Sequence, residues 1–168
     1  MNVYLLRHGI AAPLAAENHY RDELRELTPE GQSKMRKAAQ GMKCIGLSFD
    51  IVASSPLIRC RQTAELVMAG LAIDSPLQIW NDLAPEGDIG SVLQRLQELE
   101  DHPSLLAVGH QPSIGSLAAA LIAGNRKISL PFRKGSLWGI NLPAGFSTQS
   151  GELELMLTSK MMRQIANL

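Results

Sequence analysis

Short apolar runs alternate along this chain with longer stretches in which apolar residues recur every three or four positions. The short runs are typical of buried strands, and the longer stretches are typical of helices that pack on a sheet. We predict six strands, over residues 2–7, 50–54, 77–80, 104–109, 137–142 and 153–158. We predict helices over residues 28–45, 55–70, 88–99 and 113–123. Strands that alternate with helices favour a parallel sheet, whereas the last two strands either pair as a hairpin or flank that sheet.

Three of the helix starts carry a local sequence signal. Thr28 and Ser55 each precede a proline, and Asp88 precedes an amphipathic stretch. A short polar side chain at such a position accepts a hydrogen bond from the first helical turn, and proline suits that turn. We therefore expect Thr28, Ser55 and Asp88 to be N-caps. The predicted fold class is α/β, a three-layer α/β/α sandwich with a mostly parallel sheet, formed by one domain over residues 1–168.

Composition narrows the class of protein. Hydrophobic residues make up 45% and charged residues 19%, which suits a globular chain. The 16 basic and 16 acidic residues cancel, so bulk charge favours neither nucleic acid nor a membrane as partner. No run approaches the roughly 20 apolar residues of a membrane span, and no secretory signal is visible. We expect a cytoplasmic monomer in which Cys44 and Cys60 are reduced core thiols.

Polar groups follow each of the first four predicted strands, at the point where the strand ends. They are Arg7-His8-Gly9, Ser54-Ser55-Pro56 with Arg59 in the next helix, residues 83–88 (LAPEGD), and Gly109-His110-Gln111. Because the carboxyl ends of parallel strands open at the same edge of a sheet, we expect these groups to meet. Two arginines, two histidines and helix N-termini around one small volume predict a phosphate site. The His, Cys and carboxylate spacings match no metal-binding pattern, so we expect neither a metal nor another cofactor.

His8 has the chemistry of a nucleophile that attacks phosphorus in line and carries the phosphoryl group covalently. It must be neutral to attack, and the charges of Arg7 and Arg59 favour the neutral form by lowering its pKa. The guanidinium groups offer forked donors to the equatorial phosphate oxygens, and His110 is expected to donate to the same oxygens. Ser55 and Arg25 are further candidate phosphate contacts. For Ser55 the competing interpretation is the N-cap, and for Arg25 it is a surface charge.

Three ordered motifs resemble those of the histidine phosphatase (phosphoglycerate mutase-like) superfamily. The motifs are Arg7-His8-Gly9, residues 55–64 (SPLIRCRQTA) and Val108-Gly109-His110. The resemblance implies a phosphoglycerate mutase-like fold, with catalytic roles for Arg7, His8, Arg59 and His110 and a phosphorylated His8 as intermediate. The short chain and residues 25–31 (RELTPEG) and 83–88 resemble the SixA-type phosphohistidine phosphatases. That resemblance implies a histidine-containing phosphotransfer domain of a bacterial signalling relay as the phosphorylated protein partner.

The general acid is the part of the site that the sequence leaves open. Superfamily members carry either a glutamate after the third strand or an aspartate after the second histidine, and here Gln111 follows His110. Glu86 and Asp88 are therefore the two candidates, with Asp88 also a candidate helix cap. An imidazole leaving group needs less from a general acid than an alkoxide does, so an uncertain acid favours a phosphohistidine substrate. A single predicted helix between the third and fourth strands also leaves the site uncovered, which favours a protein-borne phosphate.

Two other functions share these residues. The chain could be a phosphatase of small phosphomonoesters, or a non-catalytic module that binds phosphoproteins through the same anion pocket. A basic patch near Phe132 is either a solvated loop or a docking surface for an acidic protein partner. Its members are Arg126, Lys127, Arg133 and Lys134.

Overall fold

The computed structural model describes residues 1–13, 22–125 and 127–168. Six strands form one sheet in the order β3-β2-β4-β1-β5-β6. They are β1 (Asn2–Arg7), β2 (Ile51–Ser54), β3 (Gln78–Ile79), β4 (Ser104–Gly109), β5 (Leu137–Asn141) and β6 (Glu152–Leu157). The first four strands pair in parallel, whereas β5 runs antiparallel to both β1 and β6. The prediction of a mostly parallel α/β sheet is confirmed, and the last two strands both pair with each other and extend the sheet.

In the part of the chain that the structure describes, five α-helices cover the sheet. They are α1 (Pro29–Cys44), α2 (Ile58–Leu71), α3 (Ile89–Glu98), α4 (Ser113–Ala123) and α5 (Ser159–Ile165). Thr28 caps α1 as predicted, since its Oγ1 accepts a hydrogen bond from the Gly31 amide at 3.0 Å. Asp88 caps α3 by accepting from the amides of Gly90 and Ser91 at 3.1 and 2.9 Å. Among the described residues, two short 3₁₀ helices, Asp22–Leu24 and Asn81–Leu83, lie in the connections.

The helices form two layers, one on each face of the sheet, which confirms the three-layer arrangement. On one face α1, α2 and α5 bury side chains such as Met35, Ala64 and Met162 against Leu6 of β1. On the other face α3 and α4 bury their apolar sides against alternate strand residues such as Leu5. Because side chains on both faces of the strands are buried in apolar layers, polar groups are expected where the strands end.

Two predictions of local structure are wrong, and a third, the strand over residues 77–80, is right in position but too long. Helix α2 begins at Ile58 after the N-cap Leu57, which provides no side-chain cap, so Ser55 is not the cap. Strand β3 has only two residues, both exposed, because it forms the edge of the sheet. Cys44 is exposed at the last residue of α1, and only Cys60 is a core thiol.

Helix α5 was not anticipated from the sequence. It is seven residues long, which is too short to display a helical repeat of apolar positions. Its start does carry a recognisable signal, because Thr158 Oγ1 accepts a hydrogen bond from the Met161 amide at 3.2 Å. No helix in the described ranges is long and apolar enough to cross a bilayer.

Candidate active site

The sheet order places the polar strand ends side by side. Strands β1 and β4 are neighbours, with Arg7 in register with Gly109, and β2 lies on the other side of β4. The next residue after each of β1 and β4 is a histidine, and the rings of His8 and His110 lie 5.2 Å apart between centroids. The structure thus brings His8, His110, Ser55 and Arg59 into one buried cluster.

His8 is held as a neutral imidazole with a defined tautomer. Its side chain is buried, and its Nδ1 lies 2.7 Å from the carbonyl oxygen of Gly9. A carbonyl oxygen only accepts, so Nδ1 carries the hydrogen and Nε2 keeps its lone pair. Burial is the main cause that lowers the pKa of His8 to about 4, with the charges of Arg59, Arg7 and Lys134 adding to it against the Gly9 hydrogen bond. A lone pair on Nε2 at neutral pH is what a nucleophilic histidine requires.

His110 is neutral for the same main reason. Burial first, then the charges of Arg59 and His8, lower its pKa to about 3. Its Nε2 lies 2.8 Å from Ser55 Oγ and 3.3 Å from the buried Cys60 Sγ. Ser55 Oγ also accepts a hydrogen bond from the Leu57 amide at 3.3 Å. Ser55 therefore fixes the orientation of the His110 ring.

The two predicted arginines each leave a donor unsatisfied. Arg7 Nη1 donates to the Phe132 carbonyl at 2.7 Å, and Arg59 Nη1 donates to the Asp22 carbonyl at 2.7 Å. The Nε atoms of Arg7 and Arg59 are buried and have no hydrogen-bond partner among the residues described. A buried, unpaired donor on a charged group costs on the order of 1–3 kcal/mol or more. The two guanidinium groups also place positive charge beside the buried histidines, so the site is suited to an oxyanion.

Thr63 connects the end of β1 to α2. Its Oγ1 donates to the Arg59 carbonyl at 2.6 Å and accepts from the Gly9 amide at 3.1 Å. Thr63 belongs to the 55–64 motif, and this contact explains why a hydroxyl stands there: it fixes the distance between the His8 loop and the helix that carries Arg59.

Sequence reasoning missed Asp22. Its carboxylate bridges two arginines, with Oδ2 at 2.8 Å from Arg59 Nη2 and Oδ1 at 2.6 Å from Arg25 Nη1. Although its partial burial acts in the other direction, the hydrogen bonds and charges of Arg25 and Arg59 hold the pKa of Asp22 below its ordinary value. Asp22 lies in the long connection after β1, where no periodicity or motif marks it. Arg25, which also donates from Nε to the Ala12 carbonyl at 2.7 Å, thus reaches the site through Asp22.

The two candidate acids differ in what holds them. The Asp88 carboxylate accepts hydrogen bonds from two α3 amides and from Ser91 Oγ, so it is engaged in capping. Glu86 is exposed on the loop that joins β3 to α3. Ser113 Oγ holds that loop beside the start of α4 by donating to the Pro85 carbonyl at 2.8 Å.

In the described ranges no group of three His, Cys, Asp or Glu side chains is arranged to hold a metal ion. The basic patch near Phe132 is divided by the fold. Arg133 and Lys134 line a cleft beside Arg7, Lys127 does not, and Arg126 lies outside the described residues.

Comparisons with known proteins agree with this geometry. The model of the histidine phosphatase superfamily (branch 1) matches residues 3–104, a range that includes Arg7, His8 and Arg59 and ends before His110. The phosphohistidine phosphatase SixA of Escherichia coli is 36% identical over 126 residues, which is 74% of this chain and 76% of that protein. An uncharacterized protein of Picosynechococcus is also 36% identical, over 94% of each chain. The solved structure of the protein histidine phosphatase SixA complexed with tungstate superposes with a TM-score of 0.84 at 30% identity, covering 95% of this chain and 98% of that one.

Proposed function

We propose that this chain, which belongs to the histidine phosphatase superfamily and is a SixA-type phosphatase, removes the phosphoryl group from phosphohistidine on a protein. The observation that carries the proposal is the neutral His8, whose Nε2 keeps its lone pair beside Arg7, Arg59 and His110. A histidine-containing phosphotransfer domain of a signalling relay is the substrate that we infer. We place the reaction in the cytoplasm, since an exposed free thiol such as Cys44 persists in a reducing compartment.

The first half of the reaction transfers the phosphoryl group to His8. Its Nε2 lone pair forms a bond to phosphorus, and the bond between phosphorus and the substrate imidazole nitrogen breaks. The electron pair of that bond stays on the leaving nitrogen, and the second nitrogen of the substrate ring already carries a proton. The leaving group is then a neutral imidazole, so no general acid is needed.

The second half regenerates the enzyme. Water attacks phosphorus, the bond between phosphorus and His8 Nε2 breaks, and its electron pair returns to Nε2. The water proton leaves to solvent or stays on the inorganic phosphate. Throughout, the guanidinium groups of Arg7 and Arg59 stabilise the charge on the equatorial oxygens. His110, fixed by Ser55, donates to the same oxygens once the bound dianion has raised the pKa of its ring.

Two features favour phosphohistidine over a small ester. One candidate acid, Asp88, caps α3, and an imidazole leaving group does not need it. Between β3 and β4 the chain forms a 3₁₀ turn and α3. This connection, which the structure describes throughout, contains no additional segment that could cover the site and bury a small substrate. A rim that the described residues between β3 and β4 leave uncovered admits a phosphorylated side chain on a protein surface.

The test compares phosphate release from a phosphohistidine-bearing phosphotransfer domain, a phosphoserine peptide and 3-phosphoglycerate. We expect turnover of the phosphohistidine protein to exceed that of either ester by at least about a hundredfold. His8→Ala should abolish turnover, whereas His102→Ala, which alters an exposed loop histidine, should retain it. Preference for a small ester would overturn the phosphohistidine assignment.

A second candidate function, hydrolysis of small phosphomonoesters, is favoured by one observation. Glu86 is exposed on the loop fastened beside α4 and takes no part in the capping that engages Asp88. If Glu86 protonates an alkoxide, Glu86→Gln should lower ester hydrolysis and leave phosphohistidine hydrolysis unchanged. Equal rates of ester hydrolysis in Glu86→Gln and the wild type would remove this candidate acid.

A further inference from the structure

A cationic cleft opens directly beside the predicted nucleophile. Its volume is about 470 Å³, and five of the side chains that line it are basic: Arg7, Lys34, Arg133, Lys134 and Arg163. They come from the end of β1, from α1, from the loop before β5 and from α5. None of the described residues that line the cleft is acidic. In a chain with no net charge, this is a local concentration of positive potential.

The cleft adjoins the active site. Arg7 belongs to both, and the charge of Lys134 contributes to the lowered pKa of His8. The Gly135 amide donates to the carbonyls of Arg7 and His8 at 3.0 and 3.1 Å, which fastens the basic loop to the end of β1. A ligand in the cleft therefore lies next to the phosphoryl group that His8 would attack.

The charges in the cleft are largely uncompensated. In the described part of the chain, Arg133, Lys134 and Arg163 form no ion pair with a carboxylate. Arg163 Nε donates to the Ser159 carbonyl of its own helix, at 3.2 Å, and, after the Lys34 hydrogen bond, its charge also helps to lower the pKa of Glu30. Lys34 pairs with Glu30, whose carboxylate is mostly exposed to solvent and can be displaced by another anion. Ile10, which is partly exposed, adds apolar surface to the lining of the cleft.

We propose that the cleft binds an acidic segment of the phosphoprotein substrate, next to its phosphohistidine; this inference rests on the proposed function. The five basic side chains lie on four separate elements, and this spacing suits several carboxylates along a peptide. A single phosphate would instead be bound at one point, by arginine guanidinium groups that converge on it. The volume is that of a ligand pocket. The partly exposed Ile10 side chain would contact the methylene groups of glutamate side chains. Three of the five cations lie beyond residue 104, where the superfamily match ends.

The kinetic test uses charge reversal away from the catalytic residues. The variant is R133E/R163E, and the matched control is K127E/K160E, which reverses two exposed lysines that do not line the cleft. We expect KM for the phosphohistidine-bearing protein to rise about tenfold in R133E/R163E at low salt, and less at high salt. Turnover of free phosphohistidine should be unchanged in both variants, and the control should keep the wild-type KM. An equal rise in the control, or an equal loss on free phosphohistidine, would overturn the proposal.

A binding test separates this inference from the proposed function. A fluorescent hexaglutamate peptide, a hexalysine peptide and a single-stranded oligonucleotide are titrated with the full chain carrying His8→Ala, with and without R133E/R163E. Hexaglutamate binding that R133E/R163E abolishes supports the cleft even if the wild type fails to hydrolyse phosphohistidine. Tighter binding of the oligonucleotide, or hexaglutamate binding that is indifferent to R133E/R163E, contradicts it.

Discussion

At the scale of single residues, burial sets the chemistry of the site more than any neighbouring charge does. For both His8 and His110, the loss of water around the ring is the largest cause of the lowered pKa. Nearby arginines add to that effect, and Ser55 and Gly9 then fix the orientation of each ring through one hydrogen bond. Two neutral imidazoles therefore lie beside two guanidinium groups, and this arrangement is preorganised to bind an anion.

The lowered pKa of His8 predicts a loss of stability in acid. In the unfolded chain a histidine titrates near 6.5, so between that pH and about 4 the unfolded state binds a proton that folded His8 does not. Stability should therefore be complete above pH 6.5 and fall as the pH drops toward 4, by on the order of 3 kcal/mol from His8 alone. Urea unfolding at pH 7, 5.5 and 4.5 measures this. His8→Gln should show a shallower decline than the wild type or His102→Gln; equal slopes would contradict a buried neutral His8.

Asp22 should compete with phosphate for Arg59. Its carboxylate accepts from Arg59 Nη2, while its backbone carbonyl independently holds Nη1. Asp22→Asn removes the negative charge and leaves the backbone bond, so inorganic phosphate should bind about fivefold more tightly, as expected for one partly exposed charge. Calorimetric titration of phosphate checks this, with Asp74→Asn as an exposed control. Weaker phosphate binding in Asp22→Asn would mean that the carboxylate is needed to orient Arg59.

At the scale of elements, the contact between α1 and α5 shapes one wall of the cationic cleft. A Cβ added at Gly41 of α1 would lie 1.9 Å from the Met162 carbonyl oxygen of α5, so the two backbones touch there. Lys34 and Arg163 stand on these two helices, and their separation depends on this close approach. The glycine is required by packing and not by its backbone angles.

Gly41→Ala tests that contact. In an isolated helix this change stabilises by about 1 kcal/mol, because alanine has the higher helix propensity. Here we expect the thermal midpoint to fall by several degrees, since α5 must move away from α1. Ser33→Ala, at an exposed position of the same helix, should change the midpoint little. A midpoint raised by Gly41→Ala would show that the helices do not approach this closely.

At the scale of the whole molecule, local patterns in the sequence predict the three layers. They do not predict contacts between residues that are far apart in the chain. Apolar periodicity and caps such as Thr28 act within a few residues, and the parallel topology then places His8 beside His110. Ser55 was misassigned because its decisive partner, His110, is 55 residues away. Asp22 lies in a connection without a pattern, and only folding brings it to Arg59.

The cleft shows the same limit on a larger scale. Arg133 and Lys134 stand out in the sequence as a basic cluster, but Lys34 and Arg163 join them only through the packing of α1 and α5 on the sheet. Charge that is scattered along a neutral chain can thus be concentrated at one edge of a fold, which composition alone does not reveal.

The central claim is that His8 carries the phosphoryl group. The most direct measurement is rapid quenching of the wild-type chain with a phosphohistidine-bearing protein, followed by mass spectrometry of the peptide that contains residues 1–13. We predict an added phosphoryl group on His8 that is stable in base and lost in acid, and that is absent from His8→Ala. Turnover without any phosphorylated His8 in the quenched samples, or phosphorylation of another residue, would contradict the mechanism.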